Sequence, residues 1–182
     1  NYQNIKLPNP SQLPSSVGSN VSVSNDGIYI AISTNVSPYI HIYKREGDEL
    51  VKLANPDILP TGESWGCSIS PDGVYLAVAH VNYPRVTIYK RNGDIFTKLP
   101  NPDTLPTGNA WRATFSPTGN FLIVGHSNSP YFTIYKRNGD TFTKLSNPST
   151  LPVGNAGGDI GFSKDETYIA VPHDKSPYIT IY

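Results

Sequence analysis

The sequence predicts an all-β fold built from four consecutive antiparallel sheet repeats, and three observations carry that expectation. The step Lys-Leu begins at residues 6, 52, 98 and 144, each 46 residues after the last, with Asn-Pro at 9, 55, 101 and 147 and Leu-Pro at 13, 59, 105 and 151 in the same register. Each unit closes on a β-branched strand ending in Tyr, at Ile42-Tyr43, Ile88-Tyr89, Ile134-Tyr135 and Ile181-Tyr182. The last arrives one residue late because the segment between Gly154 and Phe162 carries an insertion. Finally, 15 Gly and 17 Pro punctuate the chain so densely that long helices have no room. The repeats run 1–43, 44–89, 90–135 and 136–182, read as one domain over 1–182.

Residues 90–135 show how one unit is made. Ile95–Leu99 alternates apolar and polar, as a half-buried strand does. The Pro-rich loop Pro100–Asn109 follows, then Trp111–Phe115, the turn Ser116-Pro117-Thr118-Gly119, and Phe121–Gly125, apolar enough to be buried on both faces. A polar loop with Pro130 leads into Tyr131–Tyr135, and Asn138-Gly139 predicts a tight hairpin turn into the next unit. Four short strands per repeat without a helical period predict a β-propeller of four four-stranded antiparallel blades.

Ser70-Pro71-Asp72-Gly73-Val74-Tyr75-Leu76-Ala77-Val78 and Ser116-Pro117-Thr118-Gly119-Asn120-Phe121-Leu122 resemble the turn and strand of WD-repeat (WD40-like) blades. Asn25-Asp26-Gly27-Ile28-Tyr29-Ile30-Ala31 is a looser copy, and Lys164-Asp165-Glu166 lacks the glycine. The family's Trp-Asp signature is replaced by Tyr-Lys at 43–44, 89–90 and 135–136, so its hydrogen-bond network does not carry over. The resemblance implies a fold and no particular function.

The resemblance also implies a strand order offset for ring closure, since the chain starts on the outermost strand of one blade and ends on the third strand of another. Four units allow a four-bladed ring, or half of an eight-bladed dimeric ring in which two chains exchange terminal strands. Small residues on the second strand, Ala31, Ala77, Ala79, Gly125 and Ala170, fill a narrow wedge poorly and favour the dimeric ring or a longer array.

Fourteen basic residues balance fourteen acidic ones, so no global field draws the chain to nucleic acid. No apolar run is long enough to span a membrane, and Cys67 is the only cysteine, which excludes an intramolecular disulfide. The sequons Asn20-Val21-Ser22 and Asn35-Val36-Ser37 point to an extracellular, virion or cell-surface setting. The chain contains no Met, and we expect it to be processed or excised from something longer.

His80, His126 and His173 share one register position at the end of the second strand, where the first repeat has Thr34. Three such histidines could ring a metal, but equivalent positions on neighbouring blades are usually too far apart for nitrogens about 2 Å from one ion. The expected role is a hydrogen bond repeated in each blade; no metal and no cofactor are assigned. Trp65 and Trp111 also share a position, just after the Pro-rich loop, where the fourth repeat has Gly157 or Gly158. Strand alternation places that loop and the loop after the second strand on one face, collecting Trp65, Trp111, the three histidines, Asn82 and Asn128. Aromatic faces beside amides are what a sugar or peptide pocket uses, although filling a gap between blades is the commoner task of such a Trp.

Lys44-Arg45, Lys90-Arg91 and Lys136-Arg137 are expected as solvated turn residues that discourage edge pairing. No nucleophile elbow, phosphate loop or zincin motif appears, so catalysis is not expected. The sequence thus points to a non-enzymatic recognition or scaffold module for a glycan or protein. An appendage, coat or fibre subunit is the second reading, and a metal-dependent enzyme with a His ring the third.

Overall fold

The computed structural model describes residues 6–182, and every described element is a strand, turn or loop. The first sheet is β1 (Gly18–Val23), β2 (Tyr29–Thr34), β3 (Ile40–Glu46) and β4 (Glu49–Lys52). The second is β5 (Ser64–Ile69), β6 (Tyr75–His80), β7 (Val86–Asn92) and β8 (Ile95–Lys98). The third is β9 (Ala110–Phe115), β10 (Phe121–His126), β11 (Phe132–Asn138) and β12 (Thr141–Lys144). The fourth holds β13 (Gly161–Phe162), β14 (Ile169–Pro172) and β15 (Ile179–Ile181). Each is an antiparallel meander in chain order. A sheet begins after a Pro-rich loop and takes its fourth strand from the head of the next repeat. The expected outermost strand at the start of the chain falls largely on residues 1–5, outside the described residues, and Lys6 and Leu7 lie in no strand.

Period-2 patterning gives every sheet two apolar faces, and the sheets stack in series to cover them. Tyr29, Ala31, Ile40 and Ile42 of the first sheet bury against Cys67, Ile69, Leu76, Val78 and Phe96 of the second. Tyr75, Ala77, Val86 and Ile88 bury against Ala113, Phe115, Leu122, Val124 and Phe142 of the third. Ile123 and Phe132 bury against Ile160 and Val171 of the fourth. β1, β5 and β9 run side by side along the stack. At Gly66 a Cβ would stand 2.7 Å from the Trp111 carbonyl oxygen and 2.8 Å from Arg112 Cα, so the two backbones approach to a distance only glycine permits.

The Ser-x-Asp-Gly turns are built from their own side chains. Ser70 Oγ donates to Asp72 Oδ1 (2.5 Å) and accepts from the Tyr75 amide (2.9 Å), Asp72 accepts from the Val74 amide (3.0 Å), and Gly73 takes a φ of 68°. Ser24 and Asp26 repeat this around Gly27. In the fourth sheet Glu166 takes the glycine's place at a φ of 58°. Its carboxylate accepts from the Thr118 amide (2.6 Å) and hydroxyl (2.7 Å) of the third sheet, which holds this L-residue in a disfavoured region.

Two expectations are corrected. The third strand does not stop at Tyr43, Tyr89 or Tyr135 but continues for three residues, so each Lys-Arg pair lies in a strand. The hairpin turn is accordingly Gly139-Asp140, with Asn138 paired to Thr141 and one positive φ, at Gly139, where a type II′ turn puts its glycine. Four members of the basic pairs also reach across to a neighbouring sheet, while Lys136 is exposed. Arg91 lies 4.2 Å from the Tyr29 ring centroid and Arg137 4.7 Å from that of Tyr75, each reaching back to the preceding sheet. Tyr29 Oη donates to Asp94 (2.7 Å), to which Lys44 Nζ also donates (2.9 Å); Tyr75 and Lys90 bond Asp140 likewise (2.6 and 2.8 Å). These bonds hold both carboxyls below their ordinary range, Lys first and Tyr second. A tyrosine, arginine, lysine and aspartate therefore clamp each of the first two junctions.

Candidate functional site

His80 and His126 end β6 and β10, His173 directly follows β14, and all three are buried. His80 Nε2 shares a hydrogen bond with Thr87 Oγ1 (2.9 Å), His126 with Thr133 (3.0 Å) and His173 with Thr180 (3.0 Å). Burial lowers the pKa of His80 and His126 to about 4, so both are neutral near pH 7. The fourth histidine, His41, went unassigned at the sequence level although it completes the set. It occupies the first-sheet position equivalent to Thr87, while Thr34 occupies that of His80. The two residue types are exchanged between adjacent strands, and His41 bonds Ser15 Oγ (3.2 Å) in the preceding loop. Each sheet thus spends one His and one Thr on the same two positions, and among the described residues no group of three or more His, Cys, Asp or Glu side chains could hold a metal ion.

Asn82 and Asn128 fasten loops. The Asn82 amide donates to the Thr61 carbonyl (2.9 Å) and that of Asn128 to the Thr107 carbonyl (3.2 Å), while the Thr61 and Thr107 hydroxyls donate to the Tyr83 (2.6 Å) and Ser129 (2.8 Å) carbonyls. The Pro-rich loop and the loop after the second strand therefore share one face. The latter loop turns through a cis X-Pro bond in every sheet, at Pro38, Pro84, Pro130 and Pro177.

Trp65 and Trp111 meet edge to face, ring centroids 5.9 Å apart and planes at 71°. Trp65 Nε1 is buried without a partner among the described residues. The row of indoles stops there, because the next position is Gly157, whose Cβ site lies 3.8 Å from Trp111 Cδ1. What remains is a cleft of about 460 Å³ lined by Trp111, Asn155, Gly157, Gly158, Pro172, His173 and Asp174. Asn155 fixes one wall, its backbone amide and side-chain amide donating to the two Asp174 oxygens (both 2.9 Å). His173 Nδ1 is buried and has no hydrogen-bond partner among the described residues. Beside the cleft Arg112 bridges three sheets, donating from Nη1 to the Trp65 carbonyl (2.7 Å) and from Nε to Asp159 (2.6 Å). Of the predicted site residues, the structure brings Trp111 and His173 to one cleft. Trp65 packs behind Trp111, and His80, His126, Asn82 and Asn128 serve their own sheets. Gly157, Gly158, Asn155 and Asp174 went unselected; the signal available was the break in the aromatic row.

No protein-family profile matches the chain, and no characterised protein matches it by sequence. Among solved structures it is similar to Kuenenia stuttgartiensis hydrazine synthase at 17% identity and a TM-score of 0.62, over 84% of this chain. The match spans 42% of that protein's chain, and at this identity it shows a shared fold alone. The class the fold and comparison define is an all-β protein of serial antiparallel sheets.

Proposed function

We propose that the four sheets are blades of a β-propeller and that the chain is a recognition module, without catalysis, that binds a carbohydrate at the Trp111 cleft. The observation that carries this reading is the cleft's composition. One indole borders a glycine floor, with a carboxylate held in place by Asn155 and the His173 ring in the lining. Apolar stacking against a sugar ring, with a few fixed polar groups accepting and donating to its hydroxyls, is the chemistry such a surface supports. The propeller reading is supported by the series of face-to-face sheets with β1, β5 and β9 alongside one another.

A glycan array probed with the full chain and with Trp111→Ala tests this. The expected result is a defined set of glycans bound by the parent and weakened at least about tenfold by the variant, the loss of one stacking contact of roughly 1.4 kcal/mol. No glycan bound, or binding unchanged by Trp111→Ala, contradicts it.

A further inference from the structure

The second sheet departs from the others in one loop. The loop after the second strand carries Ser-Pro-Tyr at 37–39, 129–131 and 176–178, but Tyr83-Pro84-Arg85 between β6 and β7. The backbone there is the same in all four sheets, with the residue after the proline at a φ of 67°, 70°, 72° and 70°. The fold accepts tyrosine at this position, so the loop itself does not call for an arginine. The exchange leaves the ring of Tyr83 68% exposed and sets the Arg85 guanidinium beside the Pro106 carbonyl of the next Pro-rich loop.

That guanidinium is poorly satisfied. Its one hydrogen bond among the described residues runs from Nη1 to the Pro106 carbonyl at 3.5 Å, the outer limit of such a contact, and Nε is buried without an acceptor. The other arginines are all engaged. Arg45 donates to the Gly27 carbonyl (3.1 Å), Arg91 to that of Gly73 (2.6 Å), Arg112 to Asp159 (2.6 Å) and Arg137 to Asp72 (2.8 Å). Asp57, Glu63 and Asp103, the acidic residues of the two adjoining Pro-rich loops, form no ion pair with Arg85, and residues 1–5 contain no Asp or Glu. The histidines whose pKa its charge helps to lower, His80 and His126, are neutral. A half-buried guanidinium keeps its charge and offers only donors, so leaving it unpaired costs free energy that a bound anion recovers.

We propose that Tyr83 and Arg85 form a second site on the ligand face, in which the guanidinium holds a carboxylate or sulfate oxyanion of an acidic sugar whose ring lies against Tyr83. The sugar follows from the carbohydrate reading above, whereas the oxyanion follows from Arg85 alone. The planar fork of a guanidinium matches two oxygens of either group, and an exposed tyrosine ring supplies the apolar face that a sugar stacks on. This site lies where the second sheet meets the third, one junction away from the Trp111 cleft, and both flanking sheets are complete.

The side-chain Nε–H resonance of Arg85 reads the site directly. The full chain is titrated at constant ionic strength with sodium glucuronate, sodium sulfate or glucose to about 50 mM, well above a millimolar dissociation constant. A saturating shift of that resonance is expected with glucuronate or sulfate and none with glucose, and the tighter anion names the group. Arg85→Tyr restores the residue of the other loops, so it is expected to fold as the parent does and to bind the anion at least about tenfold more weakly, followed on the Asn82 and Tyr83 amides. Arg85→Lys, which keeps the charge and loses the fork, falls between the two. Tyr83→Ser is expected to weaken glucuronate more than sulfate, which has no ring to stack. The proposal is overturned by the absence of saturation with either anion, or by a shift that sodium chloride alone reproduces. It is also overturned if Arg85→Tyr binds as the parent does, or if Tyr83→Ser treats the two anions alike. Glucuronate held at Arg85 while glycan-array binding ignores Trp111→Ala strikes the cleft reading alone.

Discussion

The second and fourth sheets carry the same pattern and live in different surroundings. Tyr75, Val86 and Ile88 are 5%, 0% and 3% exposed, whereas their counterparts Tyr168, Ile179 and Ile181 are among the most exposed large apolar side chains of the chain. β6 is buried at all six positions and β14 at one of four. The difference lies in what each sheet faces. A strand's burial here is a property of the junction, which local residues prepare and only a neighbouring sheet completes.

The sharpest way to break this comparison is a matched pair of truncations. Leu76→Ala, in the first junction, is expected to destabilise the chain by about 2–5 kcal/mol, while Ile181→Ala in dilute solution changes stability by less than about 0.5 kcal/mol. Denaturant unfolding of both variants reads the contrast, and equal losses would refute it.

The central histidines give a pH counterpart. His80 and His126 have folded pKa values lowered to about 4 against an ordinary 6.5, with burial the main cause. Between these values the unfolded chain binds more protons, so stability is complete above about pH 6.5 and falls as pH drops towards 4. The loss is on the order of 3 kcal/mol for each histidine at the lower end. Unfolding midpoints followed from pH 7 to 4 should fall, and replacing both histidines with Gln should flatten the slope in this window. A parent chain insensitive to pH there contradicts the buried, neutral assignment.

Gly66→Ala would push a methyl into the Trp111 and Arg112 backbone and cost about 1–3 kcal/mol, whereas Gly161→Ala in the fourth sheet meets no atom within 4 Å and is expected to be near neutral. Thermal unfolding of the two checks this. The smallest effect belongs to the exposed Lys90–Asp140 pair, where Lys90→Ala costs about 0–1 kcal/mol and less at high salt.

Much of the fold was legible because its signals are local. Ser70-Pro71-Asp72-Gly73 makes its own turn from its own side chains, and Phe121–Gly125 shows its double burial in composition alone. The hairpin was misplaced by one residue because Asn138 looks like a turn residue by itself, while its pairing with Thr141 depends on the neighbouring strand. The clamps were invisible for a different reason. Tyr29 and Asp94 lie 65 residues apart, one repeat plus the distance from second strand to hairpin, so neither the period nor any local motif connects them. His41 was missed because it sits one strand away from the register searched, in the place of its partner threonine. The cleft escaped because an absence creates it, at Gly157, and residue-by-residue reading looks for groups that are present.

Amide hydrogen exchange across the four sheets tests the central claim most directly. In dilute solution the account predicts that β6 and β10 exchange slowest and β14 much faster. β14 protected as strongly as β6 in a dilute, monomeric sample would contradict it.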